Sequence, residues 1–141
     1  MNRETFGVRI GEGRSIPFIG LVKVSGARSR GAVEVIEYIG PATPPPHIHR
    51  EHDECFVVLE GHFDFTIDGK PFPADIGDIA FVPRGTAHGF KIVPGSRALL
   101  IVVPGGMEGF FVELGDGLAA GRSADEIRAA LAGKYDSSPV Q

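Results

Sequence analysis

What most constrains this chain is its punctuation: twenty Gly and eleven Pro divide 141 residues into apolar runs of four to seven residues, rich in Val, Ile and Phe. Runs that short do not fill an ordinary helix, and their β-branched and aromatic content suits a pleated strand. The strands expected are 19–24, 33–39, 55–60, 62–68, 79–82, 88–93 and 98–103, with weaker ones in the first twenty residues. Asp68-Gly69 is a two-residue hairpin signal, because both turn positions need φ > 0. Gly77-Asp78, Pro94-Gly95 and Pro104-Gly105-Gly106 close other corners. Short antiparallel strands, each apolar on one face, have to pack as two sheets or curl into a barrel. The expectation is therefore an all-β fold, with residues 1–141 as a single domain. One helix is expected, at about 123–133. Ser123-Ala-Asp-Glu126 reads as a capping box, Ile127, Ala130 and Leu131 share a face, and Gly133 is the stop. Beyond Lys134 the tail is expected to fray.

Composition narrows the function classes. A chain with 43% hydrophobic and 23% charged residues can bury enough apolar surface to order itself. Eighteen acidic against fourteen basic residues, a net charge of −4, leave no basic patch for phosphate contacts, so no nucleic-acid partner is expected. Cys55 is the only cysteine and cannot form an intrachain disulfide. Residues 1–20 interleave Arg3, Glu4, Arg9, Glu12 and Arg14 with apolar residues, unlike a secretory leader, which gives a cytoplasmic reading. The longest apolar stretch, 98–103, is far below the roughly 20 residues a membrane helix needs, so no membrane partner is expected either.

Chemistry is concentrated in His47-Ile48-His49-Arg50-Glu51-His52-Asp53-Glu54, which holds three of the five histidines. Pro44-Pro45-Pro46 forms a stiff, extended lead into it. Two residues apart on a strand, His47 and His49 point to the same face and can converge on one ion. Glu54 opens the next strand after a short polar turn, and a hairpin return swings its carboxylate back toward the same place. His88 is a fourth candidate, reached through the corner Pro83-Arg84-Gly85-Thr86-Ala87.

The spacing Gly40, six residues, His47-x-His49, four residues, Glu54, six residues, Gly61 resembles the first motif of the cupin superfamily. Gly77, five residues, Pro83-x-Gly85, two residues, His88 resembles the second, with fifteen residues, 62–76, between the two. The motif regions are 40–61 and 77–92. Two departures are visible: Gly40 sits one residue farther from the histidines than the common pattern, and Ile92 stands where many members carry Asn. The resemblance implies a cupin jelly-roll barrel with His47, His49, Glu54 and His88 lining its mouth as metal ligands. Three imidazoles and a carboxylate suit a divalent transition metal, Fe, Mn, Ni, Co, Cu or Zn. Glu54 has a second reading, as a free catalytic base.

If Glu54 faces the cavity, alternation sends Phe56 and Val58 the same way, and His88 likewise brings Phe90 and Ile92. With Tyr38 from the preceding strand they form the expected apolar substrate pocket; Ile36, Phe65 and Phe81 either close it or fill the core. Arg84 and Arg97 stay open as anion-binding residues. His52 is expected to face solvent or support a ligand, His62 to be an ordinary surface residue, and Cys55 to pack as a small buried hydrophobe on the opposite face. The wording around 44–61, with Gly109-Phe110-Phe111-Val112-Glu113-Leu114-Gly115 as a cover or docking segment, is similar to quercetin dioxygenase-like cupins. That resemblance implies a metal-dependent dioxygenase acting on a small aromatic or enolic molecule. The alternatives are a non-oxidative isomerase, lyase or cyclase, and a non-catalytic ligand-binding or sensor protein. Exposed edge strands on so small a sandwich point to a homodimer.

Overall fold

The computed structural model describes residues 4–140. Ten strands come first: β1 (Arg14–Ile16), β2 (Gly20–Val24), β3 (Glu34–Tyr38), β4 (His47–Ile48), β5 (Asp53–Glu60), β6 (His62–Ile67), β7 (Lys70–Asp75), β8 (Ile79–Val82), β9 (His88–Ile92) and β10 (Arg97–Val103). Two helices, α1 (Glu108–Ala119) and α2 (Ala124–Leu131), and a short strand β11 (Ser138–Pro139) follow. The strands form two antiparallel sheets, ordered β1-β2-β3-β10-β5-β8 and β11-β4-β9-β6-β7. The expected strands are all present. Asp68 and Gly69 have φ of 53° and 75°, the paired positive values that a tight hairpin between β6 and β7 requires. Among the described residues no helix is long and apolar enough to cross a membrane.

Alternation along β5 shows how the sheets close. Glu54, Phe56 and Val58 are buried between the sheets, while Cys55 and Val57 are half-buried on the outer face. Phe65 from β6 and Phe90 from β9 meet Phe56 there, with ring centroids 5.0 Å apart for Phe56–Phe65 and 5.4 Å for Phe56–Phe90, and Phe63 stacks on Phe65. Each such ring stabilises the fold by about 1.5–3 kcal/mol relative to exposure. Phe65 is thus core. Phe81 is neither core nor pocket: it is 57% exposed on the outer face of β8. Pro71 and Pro73 interrupt the donors of edge strand β7, which blocks further pairing on that side.

The carboxy-terminal third differs from expectation twice. One helix is expected and two are found, because Gly109, Gly115 and Gly117 make the first read as a loop. Their small size is what α1 needs. A Cβ at Gly115 would lie 2.5 Å from the Pro17 carbonyl oxygen, and one at Gly117 would lie 2.7 Å from Ile127 Cδ1, so α1 presses directly on the end of β1 and on α2. Glu34 of β3 fastens its start, since Oε1 accepts from the backbone N–H of Met107 at 2.8 Å and of Glu108 at 3.0 Å. The α2 cap forms as expected, with Ser123 Oγ accepting from Glu126 N–H. The tail does not fray. β11 pairs with β4, and the Asp136 carboxylate accepts from the N–H groups of Arg50 and Glu51, both at 2.7 Å.

Candidate metal centre

The backbone brings the two histidine stretches together by close contact. Pro44–Pro46 runs across Gly89, where a Cβ would lie 3.0 Å from the Pro44 carbonyl oxygen and 3.1 Å from the Pro46 nitrogen. A side chain here would push the two segments apart by a few tenths of an ångström, and the close approach leaves His47 paired directly opposite His88. His49 follows just past β4, and Glu54 enters from β5 of the other sheet. All four side chains are buried, and their donor atoms lie within 4.8 Å of one another.

Hydrogen bonds on the far side of each ring set which nitrogen faces inward. Nδ1 of His47 donates to Pro45 O at 2.8 Å, Nδ1 of His49 to Asp136 O at 2.6 Å, and Nδ1 of His88 to Thr86 O at 2.9 Å. A neutral imidazole that donates from Nδ1 presents a lone pair at Nε2, and those three Nε2 atoms converge. His47 Nε2 and His49 Nε2 are 3.1 Å apart. Two lone pairs held at that distance repel unless a proton or a metal cation lies between them, so the donor set can exchange its shared protons for a divalent ion. Glu54 Oε1 completes the ring, 2.7 Å from His88 Nε2 and 3.3 Å from His49 Nε2.

The electrostatics follow the same geometry. Burial would raise the Glu54 carboxyl, but hydrogen bonds from His49 and His88 and their charge hold it well below the usual carboxylate range. Burial, reinforced by the nearby His88, pushes His47 down to about 3. Burial also opposes charge on His49, but Glu54 and Asp136 outweigh it and raise that ring. A site that keeps one carboxylate ionised among imidazoles is matched to a cation.

An inner cavity of about 20 Å³, room for a single water, adjoins His47, His49 and Glu54. Tyr38, Phe56 and Phe90 line it, together with Leu100, Phe110 and Arg128. Val58 is buried in the core and Ile92 packs half-buried against it, both away from the cavity lining. The Tyr38 hydroxyl donates to Ala42 O, and burial pushes its pKa up. A second cavity of about 180 Å³ lies outward, between Pro45, Pro46, Phe110, Arg128, Ala129 and Pro139. Phe110 and Phe111 are buried at the base of α1 and help close the inner space.

His52 takes the second of its two expected places: it is buried, donating from Nδ1 to Pro104 O at 2.8 Å, with Nε2 3.7 Å from the carboxylate of Asp136, the residue that orients His49. Other side chains sit elsewhere than the sequence suggests. Cys55 is half-buried on the outer face, where burial raises its thiol pKa. Arg84 forks onto Asp53 at 3.1 and 3.2 Å, and Arg97 pairs with Glu37, so neither serves the cavity. The cation that does is Arg128. It and Asp136 come from the carboxy-terminal segment, where no motif or spacing marks them.

Residues 35–104 match the Cupin domain family, Cupin_2. The chain is 35% identical over 71 residues to the quercetin 2,3-dioxygenase of Bacillus subtilis (strain 168), a match covering 50% of this chain and 21% of that protein. It is 34% identical over 76 residues to the quercetin 2,3-dioxygenase of Aspergillus japonicus, covering 22% of that protein. It thus spans about a fifth of the length of each dioxygenase. A solved protein from Planctomyces limnophilus superposes with a TM-score of 0.60 at 22% identity, over 75% of this chain and 94% of that one, a likeness of fold. With the two-sheet barrel, the matched segment 35–104 and the buried His/Glu cluster in agreement, this chain carries a small cupin-type domain.

Proposed function

We propose that this chain is a metal-dependent enzyme of the dioxygenase type acting on a small enolic or aromatic molecule. The observation that carries the reading is the ring of donors: three imidazoles with Nδ1 pinned to carbonyls and Nε2 turned inward, meeting the Glu54 carboxylate beside a cavity. His47, His49, Glu54 and His88 would hold Fe, Mn, Ni, Co, Cu or Zn, the metals that a mixed nitrogen and oxygen set favours. An ion held by these residues would supply Lewis-acid polarisation and, if redox-active, oxygen activation.

The remaining roles belong to the chain. Glu54 reads as a ligand rather than a free base, because Oε1 lies within hydrogen-bonding range of two of the Nε2 atoms. Tyr38 is committed to Ala42 O. With both engaged, no inner-cavity side chain among the described residues is left as a base, which favours substrates that ionise readily, such as enols, phenols and acids. Phe56, Phe90, Leu100 and Phe110 keep bulk water from the centre.

Elemental analysis of protein purified without added metal, alongside the H47A/H49A double variant, tests the centre. The unaltered chain is expected to carry close to one equivalent and the variant to lose it; full retention in the variant removes both positions from the site. Oxygen uptake with a panel of enols and phenols tests the reaction. Turnover without oxygen consumption would instead assign a non-oxidative isomerase, lyase or cyclase, and tight binding without turnover a ligand-binding protein.

The partner reading is a second copy of this chain, seated on the outer face of the six-stranded sheet. Leu99, Val57 and Ile79 line up across β10, β5 and β8, and Ile101, Cys55 and Phe81 form the next row. The charges at the rim are neutralised within the chain, by Arg84–Asp53 at one end and Arg97–Glu37 at the other. An uncharged apolar face is self-complementary, as a two-fold contact requires.

A further inference from the structure

Arg128 is a cavity-wall residue whose Nε finds no hydrogen-bond partner among the described residues. It stands on α2, which is anchored by the Ser123 cap and by burial of Ile127 and Leu131. Arg14, Arg28, Arg84 and Arg97 pair with Glu108, Glu4, Asp53 and Glu37. Arg128 makes no ion pair among the described residues, and its Nε is shut off from solvent with no hydrogen-bond partner. Burial pulls its pKa down. A guanidinium held this way is costly unless something anionic completes it. The inner and outer cavities share His47, Phe110 and Arg128, so the guanidinium belongs to the partition between them, with a metal-site imidazole on the same wall.

We propose that the ligand of this site is a small organic acid whose carboxylate docks on Arg128 while an adjacent enol, keto or phenol oxygen faces His47, His49, Glu54 and His88. The assignment deepens the metal-centre reading and rests on it for the second anchor. Size restricts the acid. A dry cavity of about 150 Å³ accepts benzene, and the outer cavity of about 180 Å³ therefore holds one ring or a short chain. Charge restricts the acid further. One guanidinium balances a monoanion, and the Asp125 carboxylate on the outer wall opposes a dianion such as phosphate. The planar fork of Arg matches the two oxygens of a carboxylate.

Calorimetric binding of salicylate, catechol and inorganic phosphate to the protein as purified, with metal content measured on the same sample, tests the proposal. Salicylate is expected to bind more tightly than catechol, and phosphate not to compete with it. Arg128→Gln should weaken salicylate about 10- to 100-fold, the loss of one or two charge-assisted hydrogen bonds, while catechol affinity and metal content stay within about twofold. Arg128→Lys should recover part of the salicylate affinity as a point charge. Arg128→Met separates binding from folding: removal of a half-buried cation that has no ion pair among the described residues should leave the melting temperature of the ligand-free protein unchanged or higher. Equal loss of salicylate and catechol in Arg128→Gln, a lower melting temperature in Arg128→Met, or phosphate competing as well as salicylate overturns the proposal. Salicylate binding that ignores Arg128 in protein retaining its metal sinks this inference and leaves the metal centre intact. Arg128-dependent salicylate binding in protein that takes up no metal sinks the metal centre instead.

Discussion

At the scale of single residues, Asp136 does two jobs from outside either motif. Its carbonyl oxygen fixes the tautomer of His49, and its carboxylate holds the N–H groups of Arg50 and Glu51 in the loop between two ligands. Asp136→Ala keeps the first and removes the second. Metal affinity, measured by competition with a chelator, is expected to fall about 10-fold, as for other partners that orient ligands. Glu37 carries a prediction about pH. It is fully buried, with Lys23 Nζ and the Gly11 N–H both at 3.1 Å and the Arg97 guanidinium in contact. Burial would raise its carboxyl, but these partners prevail and lower it. A depressed folded-state pKa favours the native state when the group is ionised, so its contribution is complete above the ordinary carboxylate range and is lost as pH falls through the folded value. Glu37→Gln should therefore cost about 3 kcal/mol in urea unfolding at pH 7, and the gap to the unaltered protein should narrow below about pH 4. The four donors were legible in the sequence because the two motifs that hold them resemble those of the cupins. Arg128 and Asp136 were not, since only tertiary contact brings a distant segment to the site.

Among elements, the strands could be read and the first helix could not. Alternation and turn chemistry are local properties, so β5, β6 and their neighbours follow from short windows of sequence. The glycines of α1 locally oppose a helix and make sense only against Pro17 and Ile127, residues that a window around 108–119 does not contain. The same holds for its start, which is capped by Glu34 from some seventy residues upstream. Glu34→Ala should destabilise the protein by about 2 kcal/mol through loss of two charge-assisted bonds. Hydrogen exchange should locate the effect: amides at the beginning of α1 lose protection while those of β5 and β10 keep theirs until global unfolding. Loss spread evenly over the sheets would mean that Glu34 braces the barrel rather than the helix. Because Phe110 and Leu114 of α1 wall the inner cavity, the same variant should also admit water to the metal centre.

For the whole molecule, the two sheets present unlike outer surfaces. β7 carries prolines along its edge, whereas the outer face around β8 leaves Ile79 and Phe81 each 57% exposed. Phe81→Asp changes nothing in the interior, so its effect reads the surface alone. Sedimentation of the unaltered protein should give a dimer and the variant a monomer of unchanged fold; a monomer for both would leave the face without a second copy. The all-β class and both sheets were legible because a short chain has few ways to hide so many half-apolar strands. How the last thirty residues cover the barrel was not, because the contacts that fasten them to it, such as β11 on β4 and Asp136 on Arg50 and Glu51, join segments far apart in sequence. One consequence concerns timing during synthesis. The carbonyl that orients His49 belongs to residue 136, so the ligand ring cannot be finished until almost ninety further residues have left the ribosome. Nascent chains should be blind to the ion, and loading becomes an event of the completed barrel.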